Sequence, residues 1–169
     1  MPRTFGQGLA FVLGFWIALL LSPLTIQIAR ADGAGPYAEI EARFYAEVNA
    51  HRRSQHLIAL ERDLALDALA RAHSEDMVRR TFFSHVNPDG QNPLDRIQAD
   101  GRDDFTMAAE NVGLTNRAEP NQEILQGWIA SPVHHRNLNA PAFNRTGVGV
   151  ARAPDGSWYY TQLYLAVPK

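Results

Sequence analysis

The chain has 169 residues, with 16 basic and 18 acidic side chains, a net charge of −2 and no cysteine. This length is typical of one domain with one hydrophobic core. The lack of cysteine excludes disulfides, thiolate nucleophiles and cysteine-ligated metal or redox centres. The near balance of charge does not favour nucleic-acid binding, because proteins that bind nucleic acid carry a strongly basic surface.

The first residues have the three parts of a secretory signal peptide. Arg3 is a short basic region, Leu9 to Leu21 is an apolar run, and Ala29-Arg30-Ala31 is a cleavage site of the A-x-A type. The apolar run is short for a membrane span. We therefore predict a signal peptide at 1–31, a folded domain at 32–169, and export to the periplasm or the cell exterior. The alternative is an uncleaved leader that anchors the domain.

Apolar side chains at helical spacing predict four helices in the first three quarters of the chain. A stretch between the third and fourth helices, from Asp103 to Arg117, is less regular. The four predicted helices run from about Pro36 to Ser54, from Leu64 to Arg80 with Asp63 as N-cap, from Pro93 up to Gly101, and from Pro120 to Ser131.

The end of the chain is typical of a β-hairpin. Two β-rich runs, Thr146 to Ala153 and Ser157 to Val167, are joined by an Asp-Gly turn, and the second run alternates in a strand pattern. Because the helices precede the strands without β-α-β alternation, the sequence predicts a layered α+β fold.

Three side chains are candidates for a functional site. His85 and His134 each follow a predicted helix end and lie in loop sequence, where functional groups concentrate. Glu110 is flanked by alanine, valine and glycine, so it needs a partner if it is buried. His73 lies on the apolar face of the second helix and is predicted to belong to the core or its rim. The other histidines are predicted to lie at the surface: His51, His56 and His135.

No local catalytic signature is present in the sequence. It lacks the G-x-S-x-G elbow of hydrolases, the H-E-x-x-H and H-x-x-E-H helices of zinc peptidases, and glycine-rich phosphate loops. Asn87, Asp89 and Asn92 offer oxygen ligands, but the twelve-residue calcium-loop pattern is missing. The residues alone therefore predict an exported α+β domain with a His/Glu cleft.

Five short segments follow one another in order along the chain. They are Asn49-x-x-Arg52, Phe83-Ser84-His85 with Pro88-Asp89-Gly90, Glu110-Asn111, Trp128-x-x-Ser131-Pro132-x-His134-x-x-Asn137, and Gly147-Val148-Gly149 with the strand Tyr159 to Tyr164. Together they resemble the CAP superfamily (cysteine-rich secretory proteins, antigen 5 and pathogenesis-related-1 proteins), in its cysteine-free bacterial SCP-domain branch.

The resemblance implies a three-layer α-β-α sandwich with a central antiparallel sheet and a surface cleft lined by histidines and acidic residues. Matched residue by residue, His85, Glu110 and His134 occupy three of the four cleft positions. The fourth, a glutamate in many eukaryotic members, is Ser131 here. Glu123 lies about 140° around its helix from the motif tryptophan, so we do not expect it to replace that glutamate.

Other positions of the same motifs complete the predicted cleft or depart from the pattern. Asn111 and Asn137 are further candidates for cleft and ligand-binding residues. His56 and Val133 stand where the bacterial pattern usually has glycine.

Two neutral imidazoles beside a carboxylate suit a divalent transition metal such as Zn²⁺, with His85 and His134 as ligands. Without a metal, the same three side chains form a hydrogen-bonded cluster that shapes the cleft. We favour the cluster, because a carboxylate is missing and the sequence identifies no nucleophile.

Three functions follow from this comparison. The favoured one is a non-catalytic binding domain for a lipid or sterol, a peptide or a cell-envelope component. The second is a zinc-dependent peptide hydrolase in which Glu110 activates water. The third is a structural envelope protein without a ligand. We predict a monomer with no nucleic-acid partner, which contacts a membrane only through an uncleaved leader.

Overall fold

The structure is a computed structural model that describes Met1 and residues 35–168. The predicted signal segment therefore lies, apart from Met1, outside the described residues. None of the described helices is both long and apolar enough to cross a bilayer. The elements are α1 (Ala38–Ser54), β1 (Glu61–Arg62), α2 (Leu64–Arg79), α3 (Pro93–Ala99), β2 (Met107–Thr115), α4 (Pro120–Ala130), α5 (Pro132–Asn139), β3 (Arg145–Arg152) and β4 (Trp158–Ala166).

The four predicted helices are confirmed, and local signals explain where two of them begin. Asp63 caps α2, because its carboxylate accepts hydrogen bonds from the backbone of Ala65 and Leu66. A reciprocal capping box between Asn92 and Asp95 begins α3.

The prediction for Asp103 to Arg117 is wrong, because this stretch contains β2, a nine-residue strand. Its central residues, Ala-Ala-Glu-Asn, have weak strand propensity and no clear alternation. β2 pairs along its whole length with β4, more than forty residues away, from Met107–Ala166 to Thr115–Trp158. Because β2 is stabilised by pairing with a strand that is distant in the sequence, its own residues carry no local signal for a strand.

A second correction concerns the residues after α4. Pro132 does end α4, as predicted, but it is also the first residue of α5. Ser131 is both the C-cap residue of α4 and the N-cap residue of α5. His134 therefore lies on a helix and not in a loop.

The four strands form one sheet in the order β1-β3-β4-β2. The pairs β3–β4 and β4–β2 are antiparallel, and only the two-residue β1 runs parallel to its neighbour. Helix α2 packs against one face of the sheet, and α1, α4 and α5 pack on the other. The predicted three-layer α-β-α sandwich is confirmed.

Two hydrophobic clusters lie on opposite faces of the sheet, and the alternation of β4 supplies both. Tyr160 and Tyr164 belong to the cluster under α1, α4 and α5, whereas Leu163 and Leu165 belong to the cluster under α2 and α3. Because side chains of a strand point to alternate faces, one strand builds two cores. This arrangement leaves β2 as the outer strand, with its open edge between the two helical layers.

Candidate functional site

Glu110 lies in the middle of β2 with its side chain only 1% exposed. Its Oε1 accepts a hydrogen bond from His85 Nδ1 at 2.8 Å, across 25 residues of chain. The structure thus brings together two of the three predicted site residues. The His85 side chain is itself 46% exposed, so the pair joins the buried sheet to the surface.

The loop that carries His85 is held by its own polar groups. His73 on α2 donates from Nε2 to the Ser84 carbonyl at 2.9 Å. Asn87 Oδ1 accepts from the backbone N–H groups of Asp89 and Gln91 and so closes the following turn. His73 is a buried core histidine, as predicted, and burial lowers its pKa, which favours the neutral ring.

Arg96 on α3 is a site residue that the sequence analysis missed. Its Nη2 donates to Glu110 Oε2 at 2.6 Å, and its Nη1 donates to the carbonyls of His85 and Gln91 at 2.9 and 3.0 Å. Both carboxylate oxygens of Glu110 are therefore engaged by protein donors. In the sequence Arg96 looks like any solvated arginine of a short helix, and no local signal separates it from one.

Asn111 and Asn137 join α5 to β2. Asn111 Nδ2 donates to the His134 carbonyl at 3.2 Å, and Asn137 Nδ2 donates to the Glu110 carbonyl at 3.2 Å and to Asn111 Oδ1 at 2.8 Å. Asn111 is fully buried. Both predicted cleft asparagines thus position the backbone beside the cleft through these bonds.

His134 lies on α5, where its backbone is bonded to the residue that follows Glu110 on β2. Its ring packs near Trp128, with 6.1 Å between the ring centroids. Burial lowers the pKa of His134, and the positive charge of a protonated His85 lowers it further. His134 is therefore biased toward its neutral form.

A groove of about 340 Å³ continues from His134 between α4 and β2. We call it the α4–β2 groove. Its α4 wall is formed by Glu123, Gly127 and the C-cap residue Ser131, which are spaced four residues apart and so face one side of the helix. Its floor and opposite wall are formed by Phe83, Val112, Gly113, Leu114, Thr115, Ile124 and Trp128. Of the predicted site residues, Ser131 and His134 line this groove.

Two glycines determine the shape of the groove. A Cβ at Gly113 would lie 2.7 Å from the Ile124 side chain, so glycine is what lets α4 pack this closely on β2. A Cβ at Gly127 would meet no atom within 4 Å, so this glycine leaves open space above the helix. Glu123 is another residue of the groove that the sequence analysis did not place there, although the eight-residue spacing from Ser131 was a usable signal.

Among residues 35–168, no group of three or more His, Asp or Glu side chains is arranged to hold a metal ion. His85 and His134 offer two imidazoles, and the one nearby carboxylate, Glu110, already bonds to His85 and Arg96. Zinc binding at this cluster stays a prediction.

The sequence model of the CAP family, described as the cysteine-rich secretory protein family, matches residues 45–164. That range includes His85, Glu110, His134 and the whole of the α4–β2 groove. The chain belongs to the CAP family.

Relatives and solved structures agree with this assignment. The CAP domain is 33% identical over 130 residues to the uncharacterized protein YkwD of Bacillus subtilis, covering 76% of this chain and 49% of YkwD. An extracellular protein of Bacillus anthracis that contains an SCP domain is 30% identical, with a TM-score of 0.66, covering 74% of this chain and 39% of that chain.

A further structure supports the fold alone. An outer surface protein of Borrelia burgdorferi matches with a TM-score of 0.71 at 19% identity, covering 78% of this chain and 96% of that one. In contrast, the CAP domain spans about half or less of the two Bacillus proteins. What those longer proteins do as a whole therefore does not transfer to this chain.

Proposed function

We propose that this CAP domain is an exported, non-catalytic binding module whose ligand lies in the α4–β2 groove with one end at His85 and His134. The observation that carries the proposal is that the Glu110 carboxylate is buried and fully hydrogen-bonded. Its side chain is 1% exposed, and its two oxygens accept hydrogen bonds from His85 and Arg96. These contacts support a structural role for the Glu110 carboxylate, which positions the His85 ring.

A general base must reach the proton that it removes, directly or through one water molecule. Glu110 would first have to break the bond to His85 or the ion pair with Arg96, and both partners are held in turn by the surrounding structure. Among the described residues, no serine hydroxyl is hydrogen-bonded to a histidine ring, so a serine–histidine nucleophile has no support either.

The α4–β2 groove has the composition of a binding site. Its floor is apolar, and polar groups lie at its two ends, an arrangement that fixes the orientation of a ligand. Gly127 supports this interpretation, because a glycine inside a helix costs stability and no neighbouring atom requires it. The space that Gly127 leaves is what a ligand would fill.

Exposed apolar side chains line the groove or lie next to its histidines in the sequence. Phe83, Val86, Leu114 and Val133 are large hydrophobic residues whose exposed fractions lie between 42% and 56%. Each either lines the groove or is adjacent in sequence to His85 or His134. An apolar rim around polar groups favours a ligand that is amphipathic.

Export is supported by the leader sequence at residues 1–31. It is also supported by the likeness to a Bacillus anthracis protein that is described as extracellular. We therefore propose that the domain acts in the periplasm or outside the cell.

A zinc site is the second candidate, and one contact favours it. His85 is oriented by a hydrogen bond from Nδ1 to Glu110, which leaves Nε2 to bind a metal, and such carboxylate–histidine pairs are typical of zinc sites. His85 and His134 would hold the ion, fewer protein ligands than the three or four of most zinc sites. Bound zinc would supply an acidic water molecule.

The test is a binding screen of the exported protein against fatty acids, sterols, peptidoglycan fragments and short peptides. A Cβ at Gly127 meets no atom within 4 Å, so Gly127→Leu places an apolar side chain in the groove. Gln126→Leu, at an exposed neighbour on the same helix that does not line the groove, is its matched control. We expect one class to bind to the native protein and to Gln126→Leu, and binding to Gly127→Leu to fall at least tenfold. Absence of any binder, or equal binding by both variants, would overturn the proposal.

A further inference from the structure

The outward backbone groups of β2 are capped in the middle of the strand and open at Leu114. In an antiparallel strand the N–H and C=O of one residue point the same way, and successive residues alternate. The carbonyls of Glu110 and Val112 accept hydrogen bonds from Asn137 and Trp128, so the even-numbered residues point away from β4. Leu114 is the next residue of this outward-facing set.

Side chains of α4 and α5 bond to two outward carbonyls in the middle of β2, those of Glu110 and Val112. Trp128 Nε1 caps the Val112 carbonyl at 3.0 Å, and Asn137 caps the Glu110 carbonyl at 3.2 Å. Within residues 35–168, no donor or acceptor outside the sheet is bonded to the backbone of Leu114. Leu114 is also 42% exposed. A short piece of sheet edge is therefore left open inside the α4–β2 groove.

The other edge of the sheet is capped beyond β1. The outward N–H groups of Val148 and Val150 on β3 donate to the carboxylates of Asp67 and Glu41, at 2.7 and 3.1 Å. The unpaired N–H and C=O groups of an edge strand can pair with another chain, and proteins usually cover them. The uncovered backbone at Leu114 thus contrasts with the capped carbonyls of Glu110 and Val112 and with the capped N–H groups of β3.

The negative charge of the α4–β2 groove favours a ligand with a positive charge. Glu123 is its one carboxylate, and neither lysine nor arginine lines it. Glu123 and Ser131 are eight residues apart on α4, a distance of roughly 12 Å along the helix axis. An extended peptide of about four residues has the same length, at about 3.3 Å for each residue.

Resting on the proposed function, we propose that the ligand of the α4–β2 groove is an extended peptide segment that pairs with the Leu114 backbone and carries a lysine or arginine side chain to Glu123. Main-chain hydrogen bonds to a sheet edge provide affinity, and side-chain pockets provide specificity. The apolar floor at Trp128 and Phe83 receives a side chain of the same segment.

This ligand class accounts for features that a lipid does not. An acyl chain has no donors or acceptors to offer the Leu114 backbone and no cation to offer Glu123. A peptide satisfies the backbone groups, and its basic side chain forms a charge-assisted bond to the carboxylate. His134, next to the opposite end, remains available as a hydrogen-bonding group.

The probe is a blocked pentapeptide that alternates leucine and lysine, compared with one that has norleucine for lysine and one with a methylated backbone. We expect the lysine peptide to bind, and Glu123→Gln to weaken it about threefold to fivefold while leaving the norleucine peptide unchanged. Glu75→Gln, the same change at an exposed position of α2 outside the groove, is the control and leaves both affinities as in the native protein.

Backbone pairing is tested by a change in the protein and by a change in the peptide. Leu114→Pro removes an outward N–H, a change that edge strands tolerate, and it should abolish peptide binding. The methylated peptide, which cannot pair, should fail to bind to the native protein, and this test does not depend on the folding of the variant. Binding that persists in the methylated peptide or in Glu123→Gln at native strength would overturn the peptide assignment.

The failures of the two proposals are distinguishable. If the lysine peptide does not bind but another probe binds in a manner that Gly127→Leu abolishes, the groove is a binding site and the peptide assignment is wrong. If no probe binds to the native protein, both proposals are wrong.

Discussion

Arg96 Nη2 lies 2.6 Å from Glu110 Oε2, so a cation of α3 is held against the buried carboxylate of β2. The other oxygen of Glu110 accepts from His85 Nδ1. One carboxylate therefore joins a helix, a strand and a loop, and it sets the orientation of the His85 ring. This contact separates the present account from one in which Glu110 acts as a base.

Arg96→Gln should destabilise the domain by about 3 kcal/mol, because it leaves the Glu110 charge buried with one partner fewer. Urea denaturation at pH 7.5 measures this loss. The control is Arg43→Gln, which removes a surface ion pair to Glu47 at 3.9 Å and should change stability by less than about 1 kcal/mol. Equal effects of the two substitutions would contradict the structural role of Arg96.

Gly127→Ala should raise the free energy of unfolding by about 0.5–1 kcal/mol, because alanine is the better helix former and the added Cβ meets no atom. Gly113→Ala is the opposing control, since its Cβ would lie 2.7 Å from Ile124, and we expect it to destabilise. Thermal denaturation of both variants checks the pair. A loss of stability in Gly127→Ala would show that the space above this residue is not open.

His56→Gly should stabilise the domain by roughly 1 kcal/mol. His56 follows the end of α1 with φ of 59°, a left-handed conformation that glycine adopts without strain. Gln55→Gly, at a neighbouring residue with φ of −94°, brings no such relief and should not stabilise. Urea denaturation measures the free energy of unfolding of both variants. Stabilisation by Gln55→Gly alone would contradict this explanation.

Much of the fold was predictable because its signals are local. The helices are marked by apolar spacing and by caps such as Asp63, and the hairpin by the alternation around Tyr160 and Leu163. β2 was missed because its strand conformation depends on pairing with β4, more than forty residues away. α5 was missed because Pro132 is equally a signal for the end of one helix and the start of the next.

The candidate site was predictable only where chemistry and sequence motif coincide. Glu110 was identified as a carboxylate in apolar sequence that needs a partner, and His85 is that partner. The second partner, Arg96, could not be found, because only the packing of α3 against β2 brings it to Glu110. The open edge at Leu114 is likewise a property of the sheet order, which the sequence does not reveal.

The free energy of unfolding should fall as the pH is lowered from 7.5 to 5. Burial is the main cause that lowers the pKa of His73, and the charged side chains that also act on its ring are Glu110, Arg96 and Asp76. The unfolded chain therefore binds protons more tightly than the folded one. The contribution of the neutral ring is complete above the unfolded pKa of about 6.5, and it is lost as the pH falls through the folded value.

Urea denaturation of the native protein and of His73→Gln measures this contribution. We expect the decrease between pH 7.5 and 5 to be smaller in the variant, whereas the offset between the two proteins should be constant from pH 7.5 to 8.5. An equal decrease in both proteins at low pH would show that His73 makes no contribution.

The mature chain should begin at Asp32, after cleavage behind Ala31. Intact-mass measurement of the protein recovered from outside the cytoplasm checks this prediction. A chain that retains residues 1–31 and remains with the membrane fraction would favour the anchored alternative.

Whether the domain binds its ligand without cleaving it is decided by the fate of a ligand bound in the α4–β2 groove. The protein is incubated with one equivalent of zinc and with the peptide or other ligand that it binds, and the ligand is then analysed by mass spectrometry. A binding module returns the ligand intact, and native protein and His85→Ala give the same spectrum. Cleavage of the ligand by the native protein that His85→Ala abolishes would contradict the account and establish a hydrolase.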